Sequence, residues 1–188
     1  MEELKKHIEQ YGKNRGNGIL FVPFLNHEIE PDFTCRMGEE FAKIFAALKP
    51  TKVLTAETSG IIPAFVAAKA LKIPMIFARK NKPSSMSDDY YIDTMESRTY
   101  NKTTNVIVLK QFINPNDRIL IIEDMLATGQ SVNALARLTE KAGAHLVGVG
   151  VVVEKAFEEG RKNTTHLKVP IHSLACITSL DNGKIVFN

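Results

Sequence analysis

Two carboxylates and two hydroxyls are gathered in one short stretch, Ile119-Leu120-Ile121-Ile122-Glu123-Asp124-Met125-Leu126-Ala127-Thr128-Gly129-Gln130-Ser131. Four apolar β-formers bring Glu123 and Asp124 to the carboxyl end of a strand, and that end of a parallel sheet is where open α/β folds bind ligands. A turn of small and hydroxyl-bearing residues then opens a helix. Backbone N–H groups of Ala127, Thr128, Gly129, Gln130 and Ser131, with the hydroxyls of Thr128 and Ser131, would meet a phosphate at the positive end of the helix dipole. Ionised carboxylates accept hydrogen bonds from hydroxyls, so a ligand with a phosphate at one end and vicinal hydroxyls a few ångströms away satisfies both halves. A ribose 5-phosphate has that shape. The bland alternative is a strand running into a helix, with Asp124 and Thr128 serving only as caps. A nucleotide-binding P-loop does not fit, because it needs a lysine where Gln130 stands.

Other groups with chemical potential lie further off. Glu57-Thr58-Ser59-Gly60 closes a strand with a glycine turn, which allows the close backbone approach an anion requires, although a plain turn capped by Ser59 reads the same way. Arg79, Lys80 and Lys82 form a cluster of cations, suited either to a polyanion or to water. Lys155 ends a strand, where its ammonium can stabilise negative charge on a ligand or simply be solvated. His7, His145, His166 and His172 are scattered without metal-ligand spacing, and no HExxH, catalytic triad or GxGxxG is present.

These groups need elements to hold them. The segment TKVLTAE at 51–57, an apolar helix over Ile61–Leu71 and a short strand over Pro74–Arg79 make a βαβ unit. Leu4, Ile8 and Tyr11 predict a first helix stopped by Gly12, followed by a turn-rich loop to Gly18 and a strand-like run over Ile19–Leu25. Pro31 opens an amphipathic helix carrying Phe33, Met37, Phe41, Ile44, Phe45 and Leu48 at helical spacing, up to Pro50. Polar residues dominate 80–100, which predicts a long mobile excursion with 82–97 acting as a lid. Order returns at 104–110, with pairing to a preceding strand across Asn101–Thr103 as an option. The run 117–124 reads as a strand buried on both faces, followed by a helix over Thr128–Ala142 with Gly143 behind it, then a strand over His145–Lys155. A small helix near Phe157–Lys162 and a hairpin turn at Asp181-Asn182-Gly183 complete the chain.

Composition excludes several classes of function. With 188 residues, 44% apolar and 24% charged, the chain suits one α/β domain. Its formal charge is only +3 and no long run of like charges occurs, so no nucleic-acid partner is expected. The longest apolar stretch, Leu146–Val153, falls far short of the ~18 residues that cross a bilayer, so no membrane is expected either. The opening MEELKKHIEQ lacks the apolar centre of a signal peptide, and Cys35 and Cys176 read as reduced thiols, so the expected location is cytoplasmic.

The 119–131 stretch resembles the phosphoribosyl-pyrophosphate signature of the type I phosphoribosyltransferases: four hydrophobic residues, two acidic, two hydrophobic, then A-T-G-x-S. Similarity to the members of that family that act on xanthine runs along nearly the whole chain, from Met1 to Phe187. The resemblance implies the family's α/β fold, a mostly parallel central sheet flanked by helices. It implies a single domain over 1–188, with a core near 35–155 and a small hood from 1–34 and 156–188. Glu123 and Asp124 would then hold the ribose where positive charge develops, and residues Ala127 to Ser131 would bind the 5-phosphate. Glu57, Ser59 and Gly60, with Arg79, Lys80 and Lys82, would meet pyrophosphate, the cations serving their own subunit or a partner's. Leu20, Asn26 and Lys155 would contact the base, Lys155 at its 6-oxo group.

The implied reaction transfers the ribosyl 5-phosphate of phosphoribosyl pyrophosphate to xanthine, giving xanthosine 5′-monophosphate and pyrophosphate in purine salvage. Mg²⁺ is required, no protein residue is assigned as its ligand, and a homodimer is implied. Hypoxanthine, guanine or adenine as the base is the nearer alternative. The other is a phosphoribosyl-pyrophosphate-sensing transcription regulator, which would need an added DNA-binding domain where only 50 residues precede the first core strand.

Overall fold

The computed structural model describes residues 1–16, 18–97, 102–180 and 184–188. Along the chain come α1 (Glu2–Tyr11), β1 (Lys13–Asn14), β2 (Leu20–Phe21), α2 (Pro23–Asn26), α3 (Pro31–Phe45), β3 (Lys52–Ala56), α4 (Ile61–Leu71) and β4 (Met75–Ala78). They are followed by β5 (Tyr90–Ser97), β6 (Lys102–Leu109), β7 (Arg118–Leu126), α5 (Gln130–Lys141), β8 (His145–Lys155), α6 (Gly160–Asn163), β9 (Ile171–Ser179) and β10 (Val186–Phe187). The central sheet has six strands in the order β10-β9-β8-β7-β3-β4. Every neighbouring pair in it is parallel except β10 with β9.

Strands inside such a sheet are covered on both faces, which is why β7 and β8 read as unbroken apolar runs rather than alternating ones. One face of the sheet, with Val53, Leu120, Ile122 and Val152, packs under α1, α3 and α4. Pro31 at the start of α3 costs no hydrogen bond there, and Phe33, Met37, Phe41 and Phe45 are all buried along one side of the helix. The other face, with Leu54, Ile119, Ile121, Val149 and Val151, is covered by α5 and by Val106 and Val108 of β6. Parallel strands thereby direct their carboxyl ends, and the loops that follow them, to one edge of the core.

Two segments depart from expectation. In the run 19–25 only Leu20–Phe21 forms a strand, paired with β1, because Pro23 takes the first helical position of a single turn ending at Asn26. The excursion expected over 80–100 is corrected from Tyr90 onward, where the strand pairing left as an option is the one formed. From Tyr90 to Ser97 the chain is β5, antiparallel to β6 from the Tyr90–Leu109 pair to the Ser97–Lys102 pair. Its Tyr, Ile and Thr residues favour a pleated surface. Asp93, buried, ties this arm to α5 through Arg137 Nη2 at 2.8 Å and Lys141 Nζ at 2.8 Å. Within 82–97, the irregular part is therefore confined to the stretch before β5.

The C-terminal tail divides its work. β9 widens the central sheet, while the last residues return to the N-terminal region, where Asn14 Nδ2 donates to Leu180 O at 2.6 Å and Lys5 Nζ to Asn188 O at 2.8 Å. The turn expected at 181–183 lies outside the described residues.

Candidate active site

Glu123 lies near the carboxyl end of β7 with only 4% of its surface exposed. Its Oε1 accepts the Thr55 hydroxyl at 2.7 Å and the Ala56 N–H at 2.8 Å, both from neighbouring β3. The approach is tight: a Cβ on Gly60 would stand 2.2 Å from Thr55 Oγ1 and 3.0 Å from Glu123 Oε1, so only glycine fits. Burial, with Asp124 beside it, pushes the Glu123 carboxyl up to about 7, against hydrogen bonds from Ala56, Thr55 and Ser131. Burial also raises Asp124, opposed by the main-chain N–H groups of Met125 and Asp124 and by the charge of Lys80. Adjacent strand residues face opposite sides, so the pair brackets the strand end. Burial makes charge costly at this strand end, and a cation placed beside either carboxylate favours its ionised form.

The turn after β3 is fastened on both sides. Glu57 Oε1 accepts the Lys80 N–H at 2.5 Å and Glu57 N–H donates to Ala78 O at 3.0 Å, so the turn is locked to the end of β4. The Glu57–Thr58 peptide bond is cis. Ser59 Oγ accepts from Asn26 Nδ2 at 2.8 Å, joining α2 to this turn. Asn26, Glu57, Ser59, Gly60, Lys80, Glu123, Asp124 and Ser131 thus form one connected neighbourhood.

Other expected residues are placed differently. Lys82 is paired with Asp88 and lies over the Tyr90 ring at 5.6 Å. Arg79 joins β6 through a two-way main-chain bridge to Ile107, and its side chain lines an apolar groove with Phe77, Pro83 and Met86. Leu20 is buried in the core under α1 and α3. Lys155 is nearly buried at the end of β8, donating to Gly18 O at 3.0 Å and Glu158 Oε1 at 2.6 Å, with its ammonium 5.9 Å from the centre of the Phe157 ring. That ring, 39% exposed, is a flat apolar surface that motif reading passed over.

The loop from Ala127 to Ser131 turns at Gly129, whose φ of 82° suits glycine, and delivers the chain into α5. The first N–H groups of α5 have no partner within the helix, and Ser131 in its first turn hydrogen-bonds Glu123. Thr55 leaves no trace in the local sequence pattern, because it lies 68 residues from the carboxylate it serves. Among the described residues no group of three or more His, Cys, Asp or Glu could hold a metal ion by itself.

A strand-end carboxylate pair, an anion-ready helix start and a second glycine turn thus converge. The family model for the phosphoribosyl transferase domain matches residues 31–177. The chain belongs to this phosphoribosyl transferase family. Among its relatives, the xanthine phosphoribosyltransferase of Latilactobacillus sakei is 40% identical over 188 residues, covering 100% of this chain and 96% of the relative. That of Lactobacillus delbrueckii subsp. bulgaricus is 43% identical, with 100% of each chain covered. Solved phosphoribosyltransferases share the fold: the adenine phosphoribosyltransferase of Rhodothermus marinus matches with a TM-score of 0.74 at 26% identity, covering 94% of this chain and 100% of that one. The enzyme of the same name from Thermoanaerobacter pseudethanolicus gives 0.76 at 23% identity, with 92% and 99% covered.

Proposed function

We propose that this phosphoribosyltransferase transfers the ribosyl 5-phosphate of phosphoribosyl pyrophosphate to xanthine, releasing pyrophosphate and forming xanthosine 5′-monophosphate. The observation that carries the reading is the single strand–loop–helix unit of β7, residues 127–129 and α5, which sets Glu123 and Asp124 one short loop from a helix start. The 5-phosphate is received by the main chain of Ala127 to Ser131 and the Thr128 hydroxyl, and the ribose hydroxyls by the two carboxylates. Departure of pyrophosphate leaves positive charge on the ribose ring beside Glu123 and Asp124, whose preorganised negative charge favours that state. Ser59, Gly60 and Lys80 receive the leaving group, with Glu57 holding the main chain of Lys80.

The hard carboxylate oxygens at this strand end suit a Mg²⁺ that arrives on the substrate's own phosphate and hydroxyl oxygens, the usual manner for this ion. When bound, it neutralises charge on the diphosphate.

The base fits between Asn26 and the end of β8, against the exposed ring of Phe157. An ammonium has three donors and no acceptor, so Lys155 suits an oxo-purine and mismatches the donor amine of adenine. The contacts to Gly18 and Glu158 use two of those donors. Relatives named xanthine phosphoribosyltransferase, similar over the full chain, support xanthine among the oxo-purines. A single domain, a cytoplasmic location and a homodimer complete the proposal. A nucleobase panel with phosphoribosyl pyrophosphate and Mg²⁺, read as pyrophosphate release, tests it: xanthine gives the highest kcat/KM, and a preference for hypoxanthine, guanine or adenine overturns the choice of base.

A further inference from the structure

The phosphate loop is supported from behind by α6, an element that no motif marks. Asn163 Nδ2 donates to Thr128 O at 3.1 Å, and Asn133 Nδ2, from α5, donates in turn to Asn163 O at 3.1 Å. The packing between loop and α6 leaves no spare room. A Cβ on Gly160 would stand 2.3 Å from Ala127 O, and one on Gly129 would stand 3.0 Å from Thr164 Cγ2 and 3.1 Å from Gly160 O. Thr164 is fully buried and donates to Gly160 O at 2.8 Å. Arg161 fixes the same turn to the sheet, through Nε to Glu154 Oε1 at 2.9 Å and Nη1 to Ile171 O at 2.6 Å.

A trans peptide is planar, so its C=O and the following N–H point in opposite directions. Among the described residues only the Glu57–Thr58 bond is cis, so this holds for the Thr128–Gly129 peptide. Fixing Thr128 O toward α6 therefore turns the Gly129 N–H away from α6. We propose that Asn163 is a positioning residue for phosphoribosyl pyrophosphate: its amide sets the Thr128–Gly129 peptide so that the Gly129 N–H faces the 5-phosphate. The inference rests on the phosphate-binding role given to this loop above. It also explains a linkage in the fold, because α6 lies only a few residues beyond Lys155 at the base end, so one short segment supports both halves of the site.

Asn163→Ala removes the donor, and Asn163→Asp replaces it at equal size with an oxygen that repels Thr128 O. Steady-state kinetics should show the KM for phosphoribosyl pyrophosphate rising about 3–10-fold in Asn163→Ala and further in Asn163→Asp. The kcat at saturation and the KM for the base should stay within about twofold of wild type, because the bond acts on ground-state and transition-state binding alike. A merely structural role would lower the melting temperature and disturb both substrates together. Asn133→Ala, which leaves Asn163 in place but frees its carbonyl, should shift the same KM in the same direction by a smaller factor, and it carries the test if an Asn163 variant fails to fold. Unchanged KM for phosphoribosyl pyrophosphate in folded Asn163→Asp, or in Asn133→Ala where that variant must stand in, overturns the proposal while wild-type binding leaves the functional reading intact. Wild type that fails to bind phosphoribosyl pyrophosphate removes both.

Discussion

The Thr55 hydroxyl on β3 and the Glu123 carboxylate on β7 meet at 2.7 Å inside the sheet, and the Ala56 N–H shares the same carboxylate oxygen at 2.8 Å. One oxygen of Glu123 is thereby held by the scaffold, and the carboxylate cannot rotate freely at the strand end. The arrangement depends on the absence of a side chain at Gly60. Thr55, which has no place in any motif, thus decides how one of the two reactive-site carboxylates is presented.

Replacing Thr55 by Val keeps the shape and removes the donor. Thr55 is fully buried, so the loss should cost about 1–3 kcal/mol of stability. Turnover should fall with it, while Thr55→Ser, which retains the hydroxyl, should recover most of both. Chemical denaturation alongside steady-state rates checks this. A Val variant as stable and as active as the Ser variant would show that Glu123 needs no such partner.

The arm formed by β5 and β6 should carry an acid-sensitive contact. Burial pushes the Asp93 carboxyl up, but hydrogen bonds from Arg137, Lys141 and the Thr94 N–H outweigh it and hold the group at about 2, below its ordinary 3.8. A carboxyl lowered by folding stabilises the native state above its unfolded pKa and loses that contribution as pH falls through the folded one. The contribution, roughly 2 kcal/mol, should disappear between about pH 4 and pH 2. Asp93→Asn should lower stability at neutral pH and flatten this part of the pH–stability curve. An unchanged curve in the variant would place the acid sensitivity elsewhere.

Lys155→Met keeps much of the stem and removes the ammonium. Xanthine would then present an oxo group to an apolar tip, at a cost of about 1–3 kcal/mol in kcat/KM. The KM for phosphoribosyl pyrophosphate should change little, because its phosphate loop is a different segment. Kinetics with xanthine, hypoxanthine and guanine test this, and unaltered xanthine kinetics would clear Lys155 of a role at the base.

The contiguous parts of the site were legible in the sequence. The strand of Ile119–Ile122, the carboxylates and the turn at Gly129 lie within one local pattern, where burial on both faces and helix-start chemistry leave a direct trace. Pairings across the fold leave none: Asn163 meets Thr128 from 35 residues away. Direction was also hidden. Lys80, Arg79 and Lys82 are neighbours in sequence, yet the chain turns as it leaves β4, so the charge of Lys80 acts on Asp124 while Lys82 pairs with Asp88. In the arm, the pairing of β5 with the adjacent β6 has a trace in the sequence, whereas the polar composition hides the salt links of Asp93 to α5. On the Lys155 side, only the fold shows the Glu158 carboxylate and the Gly18 carbonyl that receive its ammonium.

The central claim is that Glu123 and Asp124 stabilise charge on the ribose during transfer from phosphoribosyl pyrophosphate. Its most direct test is pyrophosphate release with xanthine and Mg²⁺, measured for wild type and for the double variant Glu123→Gln with Asp124→Asn. The amides keep the size of both side chains and remove their charge. Turnover should fall by roughly 10²–10³-fold or more, with the melting temperature preserved because the amides keep the size of both side chains. A folded double variant that turns over at the wild-type rate would contradict the account.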